Sequence, residues 1–206
     1  MSRRIRPTTS RSLRVEKLAE VLAVRFNAGA LPHFSTGWRL GDAEEAVLSA
    51  CSSLIDIVNV DGSRFVQFSH FSVKEFLISD RLAAASPELS RYHIIPNFAH
   101  ATLAQASLGV LLQLDNRIDK DSIRNFPLAD YAARHWFEHG RFENVSSTIR
   151  DATDRLFDRE KPHLSAPGFG YTTSTTPGGT PCLRSAPCDQ RQPRYITPYF
   201  VVSAGL

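Results

Sequence analysis

Leu54-Ile55-Asp56-Ile57-Val58-Asn59-Val60-Asp61-Gly62-Ser63-Arg64-Phe65-Val66-Gln67-Phe68 is the stretch that decides the fold. Its first seven residues are rich in β-branched side chains and largely alternate, which predicts a strand. Asp61-Gly62 is the residue pair that a tight hairpin turn needs, because both central positions take positive φ. Arg64-Phe65-Val66-Gln67-Phe68 is the returning strand, and Phe65 and Phe68 are expected to supply core contacts. The sequence on either side has helical period, so the hairpin stands alone in a mostly α protein.

Upstream, Val15, Leu18, Ala19, Leu22 and Ala23 form a helical stripe, with Glu16, Lys17 and Glu20 on the other side. Asn27-Ala28-Gly29 ends it, and residues 29–41, with Gly29, Pro32, Gly37 and Gly41, read as a loop. Asp42 is the expected N-cap of a second helix, with Glu45 as its capping-box partner. That helix turns Ala46, Val47, Ala50 and Cys51 inward. Downstream of the hairpin, Ser69 or Ser72 starts a third helix with Val73, Phe76 and Leu77 on one stripe. The order helix, helix, two-stranded wing, helix predicts a winged-helix-like domain over residues 15–82.

Residues 83–90 are a short connection. A helical domain is expected over 91–165, as two or three antiparallel helices. Ala101, Leu103, Ala104, Leu108, Leu111 and Leu112 are dense enough to be buried. Asp115 to Asp121 is a polar break. Pro127-Leu128-Ala129-Asp130-Tyr131-Ala132 opens the next helix, which continues through Trp136 and Phe137. Phe142 to Phe157 supplies the last, with Val145, Ile149, Ala152 and Leu156. Residues 1–14 are polar and aperiodic, and are expected to be a disordered basic lead-in. Residues 166–206 hold six of the twelve prolines and a Thr-rich run, and are also expected to be disordered.

The formal net charge of +3 divides unevenly. Residues 1–14 carry +5, residues 166–206 carry +2, and the intervening 15–165 carry −4. A mildly acidic body argues against a basic groove for nucleic acid. No apolar run approaches the roughly 18 residues of a membrane helix, and no secretory signal follows Met1. Three cysteines, Cys51, Cys182 and Cys188, do not make a disulfide scaffold. A cytoplasmic protein without membrane attachment is expected.

Motifs that carry chemistry are weak. There is no Gly-x-x-x-x-Gly-Lys-Ser/Thr loop. Gly168-Phe169-Gly170 lacks the flanking strand and helix of a dinucleotide site. His135-Trp136-Phe137-Glu138-His139 matches an inverted zinc-protease pattern, and His135 and His139 share a helical face. A third ligand is missing, however, and Glu143 follows a break at Gly140. Ser69-His70 with Asp80 lacks the strained elbow of a hydrolase. Cys51 reads as an inert core thiol. The second helix, with Asp42, Glu44 and Glu45, is too acidic to read DNA, and the wing offers only Arg64. No catalytic, cofactor-binding or metal-binding residue is therefore assigned. The alternative to an interaction protein is a winged-helix nucleic-acid binder aided by the Arg-rich start.

Four blocks carry a family resemblance. They are Ser12-Leu13-Arg14-Val15-Glu16-Lys17-Leu18-Ala19-Glu20-Val21-Leu22-Ala23-Val24, Glu45-Ala46-Val47-Leu48-Ser49-Ala50-Cys51-Ser52-Ser53-Leu54, Val66-Gln67-Phe68-Ser69-His70-Phe71-Ser72-Val73-Lys74-Glu75-Phe76-Leu77, and Pro127-Leu128-Ala129-Asp130-Tyr131-Ala132-Ala133-Arg134-His135-Trp136. The first three resemble the winged-helix domain, also named for GPI inositol-deacylase-like proteins, that follows the NACHT nucleotide-binding domain in fungal NLR-like, ankyrin-repeat-containing proteins, and the fourth resembles the helical segment after it. The resemblance covers about residues 12–165. It implies a non-enzymatic interaction and regulatory module, a fragment whose natural partners are the NACHT domain and the ankyrin repeats. Beyond residue 165 the chain departs from that family. Read one frame over, Pro167 through Thr175 can encode Trp-Val-Trp-Ile-Tyr-Asp-Ile-Asp. In the same frame Arg191 through Ser203 can encode Ala-Thr-Pro-Leu-Tyr-Tyr-Ala-Val-Leu-Cys-Gly-Phe, which carries an ankyrin-type Thr-Pro-Leu-x-x-Ala pattern. A frameshifted tail is therefore expected.

Overall fold

The computed structural model describes residues 13–26, 31–51, 53–114, 120–158, 172–175 and 181–184. Val15–Leu22 forms the first helix, α1. Eight residues are too few to hold a helix in water, so packing must hold it. Val15 and Leu18 face one apolar core, and Val21 faces another. The expected stripe placed Leu22 inside and Glu20 outside, and the structure reverses both: Leu22 is 37% exposed and Glu20 is 2% exposed. A helix packed on two sides has no single dry face, and Glu20 is tolerated inside because it has hydrogen-bond partners there.

Val24–Arg25 (β1) and His33–Phe34 (β2) pair antiparallel, with Val24 opposite Phe34. Thr36–Trp38 makes a 3-10 turn. The loop expected over 29–41 is thus partly ordered. Burial is the cause, since Phe34 is packed into the core and Leu31 and Trp38 lie against it.

Ala43–Cys51 is α2. The Asp42 carboxylate caps it as expected, accepting from Glu44 N–H at 2.7 Å and Glu45 N–H at 3.0 Å. Ile55–Val60 (β3) and Ser63–Phe68 (β4) form the hairpin, with Ile55 opposite Phe68 and Val60 opposite Ser63. Asp61 and Gly62 take φ of 50° and 74°, the left-handed pair the turn requires. Ile55 and Val66 are buried, and Ile57 and Phe68 pack beside them. Phe65 does not join that core: strand period places it on the opposite face from Val66, where the Arg14 guanidinium lies 5.8 Å from its ring. Leu13 and Arg14 extend the hairpin sideways, with Val66 N–H donating to the Leu13 carbonyl at 3.0 Å.

Phe71–Leu77 is α3. Neither Ser69 nor Ser72 caps it. His70 does, with Nδ1 accepting from Ser72 N–H at 3.2 Å. Leu77 is buried and Val73 packs with it, but Phe76 is 47% exposed, against expectation. A helix this short turns only one narrow stripe inward, and Phe76 lies beside that stripe rather than on it. Asp80–Ala83 (α4) and Pro87–Ser90 (α5) follow.

Pro96–Leu111 is α6, a 16-residue helix buried along nearly its whole length from Ala99 onward. Lys120–Ile123 (α7), Ala129–Gly140 (α8), Val145–Thr148 (α9) and Arg150–Leu156 (α10) complete the helical part. α8 ends at Gly140, where the break was expected, and Glu143 lies beyond it. Gly109 of α6 allows the β1–β2 segment to approach, since a methyl group there would meet Pro32 and Val24 at 3.4 Å. In the tail, Thr172–Thr175 (β5) pairs antiparallel with Pro181–Arg184 (β6), where no regular structure was expected. Disorder was expected over residues 1–14, but Leu13 is buried and Arg14 bridges to Phe65, because the hairpin edge pairs with them; residues 1–12 and the Gly168-Phe169-Gly170 segment lie outside the described residues.

The chain is mostly helical, with three two-stranded antiparallel sheets among the described residues. Two apolar cores result. One gathers Leu13, Val15, Leu18, Val47, Ile55, Val66, Leu77, Leu82, Ile94 and Ala99. The other gathers Val21, Val24, Phe34, most of α6, and the inward faces of α8, α9 and α10. α1 and α6 contribute to both. No helix of the described residues is long and apolar enough to cross a membrane.

Candidate functional site

The helical period of α8 brings Tyr131, His135 and His139 to one face, four residues apart. His139 is 3% exposed. Its Nδ1 lies 2.7 Å from Nδ1 of His100, a fully buried residue of α6. Its Nε2 lies 2.8 Å from the Tyr131 hydroxyl. The ring of Phe142 stacks on His100, with centroids 3.3 Å apart and planes 12° from parallel. His135 turns to Glu138, with Nδ1 to Oε2 at 2.9 Å.

This geometry constrains the protons. Two Nδ1 atoms facing each other at that distance hold one proton between them. Burial pushes His100 down to about 4 and His139 to about 3, the neighbouring His100 and His135 adding to the burial effect on His139. Both imidazoles are therefore neutral at physiological pH.

The zinc pattern does not assemble. His139 has both ring nitrogens engaged, one by His100 and one by Tyr131, and so offers no lone pair to a metal. Among the described residues no group of three or more His, Cys, Asp or Glu side chains is placed to hold a metal ion. His100 was missed at the level of sequence. The trace it leaves is a polar residue in the apolar run Ala99-His100-Ala101, which calls for a buried partner.

The other weighed residues have structural partners. Ser69 Oγ donates to the Leu54 carbonyl at 3.3 Å, His70 caps α3, and Asp80 opens α4 behind its own cap Ser79. Cys51 is buried at the end of α2, and burial pushes its thiol up to about 11. Arg64, the hairpin's only basic residue, reaches Glu16 of α1 at 3.0 Å and Glu44 of α2 at 2.9 Å. Its charge is engaged by these two partly exposed carboxylates.

A second polar junction ties α1 to the segment between α7 and α8. The Glu20 carboxylate accepts from Leu128 N–H at 2.5 Å and pairs with the Arg39 guanidinium. Arg39 also donates to the Asn125 carbonyl at 2.5 Å and lies over the rings of Phe34 and Phe126. Burial raises the Glu20 carboxyl above its ordinary range, with the Leu128 and Arg39 contacts opposing the rise.

No protein-family profile matches the chain, and no solved structure does. Among curated proteins it is similar to azaphilone pigments biosynthesis cluster protein L of Monascus ruber. The two are 28% identical over 138 residues, which is 64% of this chain. The chain spans 28% of that protein's length.

Proposed function

We propose that the chain is a non-enzymatic interaction and regulatory module of the fungal NACHT NLR-like type, built on a winged-helix arrangement over residues 15–82. In a full-length relative it would pack between a nucleotide-binding domain and ankyrin repeats. The observation that carries this reading is the Arg64–Glu16–Glu44 cluster. The basic residue that a DNA-binding wing would present is held between two helices, and the acidic α2 lies where a reading helix would need positive charge. Three of the resembling blocks fall on α1, on α2 and on β4 with α3, and the fourth runs into α8, so they coincide with packed elements. The Monascus ruber relative carries its matching stretch as a minor part of a longer chain, as a module would.

The test is a pair of binding experiments. The purified chain is mixed with a separately purified fungal NACHT domain, and co-elution on size exclusion is the expected result. A duplex-DNA gel shift is run with and without residues 1–14. Salt-sensitive DNA binding that survives that deletion, with no co-elution, overturns the reading in favour of a nucleic-acid-binding winged helix. The frameshift reading of the tail is tested by the nucleotide sequence. An early stop codon in the alternative frame eliminates it.

A further inference from the structure

We propose that the His100–His139 pair is an acid-sensitive latch between α6 and α8, closed while the two rings share one proton and sprung when each takes its own. The argument begins with position. α6 and α8 pack along their lengths, and the pair joins them where the N-terminal part of α6 meets the C-terminal end of α8. Below that end lies Phe142, stacked on His100, and beyond it the chain turns into α9. A second proton placed between the two Nδ1 atoms would turn one ring into a cation and set two N–H donors face to face inside an apolar core. The rings must then separate.

Among the described residues, the ionisable groups around the pair come from α8, α1, α10 and the β1–β2 pair. From α8, Tyr131 engages Nε2 of His139, and His135 adds positive charge when protonated. The nearby carboxylate of Glu138 is hydrogen-bonded to His135. From α1, Lys17 lies 5.9 Å from the Tyr131 ring and is itself a cation, while Glu20 faces the opposite end of α8 at Leu128. α9, Val-Ser-Ser-Thr, brings no ionisable side chain. The acids of α10, Asp151 and Asp154, are exposed, as are Arg25 and His33 of β1 and β2.

The sign follows from burial. Both imidazoles titrate lower in the folded protein than in the unfolded chain. Their contribution is complete above the ordinary histidine range and is lost as pH falls from there toward about 4 and about 3. Two protons taken up on opening change the opening equilibrium by up to about a hundredfold per pH unit.

The experiment follows Trp136, which is buried on α8 one turn from the latch, in a Trp38→Phe background. Acrylamide quenching of Trp136 is measured from pH 7.5 to 4.5, alongside the urea midpoint at each pH. In the parent, quenching is expected to rise and the midpoint to fall steeply below pH 6.5. In His100→Gln and in His139→Gln, each read as a change with pH relative to its own value at pH 7.5, both slopes are expected to flatten. If either variant fails to fold, His100→Asn and His139→Asn are substituted. His33→Gln, at an exposed position of β2, serves as control and keeps the parental slope. Parental slopes retained in the variants of both latch histidines overturn the proposal, as does a parent whose Trp136 quenching is flat across the range.

Discussion

Glu20 and Leu128, 108 positions apart in sequence, meet inside the protein, where the Glu20 carboxylate accepts the Leu128 backbone N–H. That bond ties α1 to the first turn of α8, and Arg39 completes it from the side. Glu20→Ala leaves the N–H without its acceptor, and a loss of about 2–3 kcal/mol in unfolding free energy is expected, read from urea titration. Arg39→Ala leaves the carboxylate without its cation. The Glu20 carboxyl already titrates above its ordinary range, so the folded state binds its proton more readily than the unfolded chain does. Stability from that group is lost as pH rises through its folded value. The Arg39→Ala penalty is therefore expected to be larger at pH 8 than at pH 5. Equal penalties at both would sink this account.

Ser107 sits on α6 at 1% exposure, and its hydroxyl has no hydrogen-bond partner among the described residues. An unsatisfied buried hydroxyl costs about 1–3 kcal/mol, so Ser107→Ala should be neutral or stabilising by up to about 1 kcal/mol. Thermal melting of the two proteins decides it, and a clear drop in the variant would mean the hydroxyl is engaged.

Cys51 combines burial with a thiol pushed up to about 11. At pH 8 almost none of it is thiolate, and little of it is open to reagent. Peptide mass spectrometry after alkylation should find Cys51 unmodified in the native protein and modified in about 6 M guanidinium, where the core is open. Rapid native labelling would contradict the packing of α2.

Gly140 closes α8 beneath Ile149. A Cβ at that position would lie 2.7 Å from Ile149 Cδ1. Gly140→Ala gains helix propensity but forces that methyl aside, and a net loss of about 1–2 kcal/mol is expected. Ile149→Val removes the colliding atom, so the double variant should recover most of the loss. A double-mutant cycle with no coupling would refute the contact.

The hairpin was legible because its turn rests on local chemistry: Asp61-Gly62 favours positive φ at both central positions between two alternating runs. The Asp42 cap was legible for the same reason. What escaped depends on partners distant in sequence. Glu20 looks like a solvent-facing acid until Leu128 and Arg39 are brought to it. Residues 31–38 look like a loop until α6 offers Gly109 as a floor. His139 could be placed on a face of α8, but its partner His100 lies 39 residues away, and the Ala99-His100-Ala101 run calls for a partner without saying which. Phe76 was assigned to the core from helical period alone, and period does not say how wide a stripe the neighbours cover.

The way β1 and β2 lie on α6 bears on how this chain can be divided. Composition suggests a cut in the Ala-Ser-Pro stretch near residue 86. A clone beginning there would carry α6 to α10 but would lack Val21, Val24 and Phe34, which fill the same core. Its exposed remnant would be a greasy trough along α6, and the shorter product should aggregate where the parent does not. The cut leaves the upstream piece with Phe34 stranded in water. Neither half is a self-sufficient parcel, so any gene rearrangement that moves this module must carry both halves together.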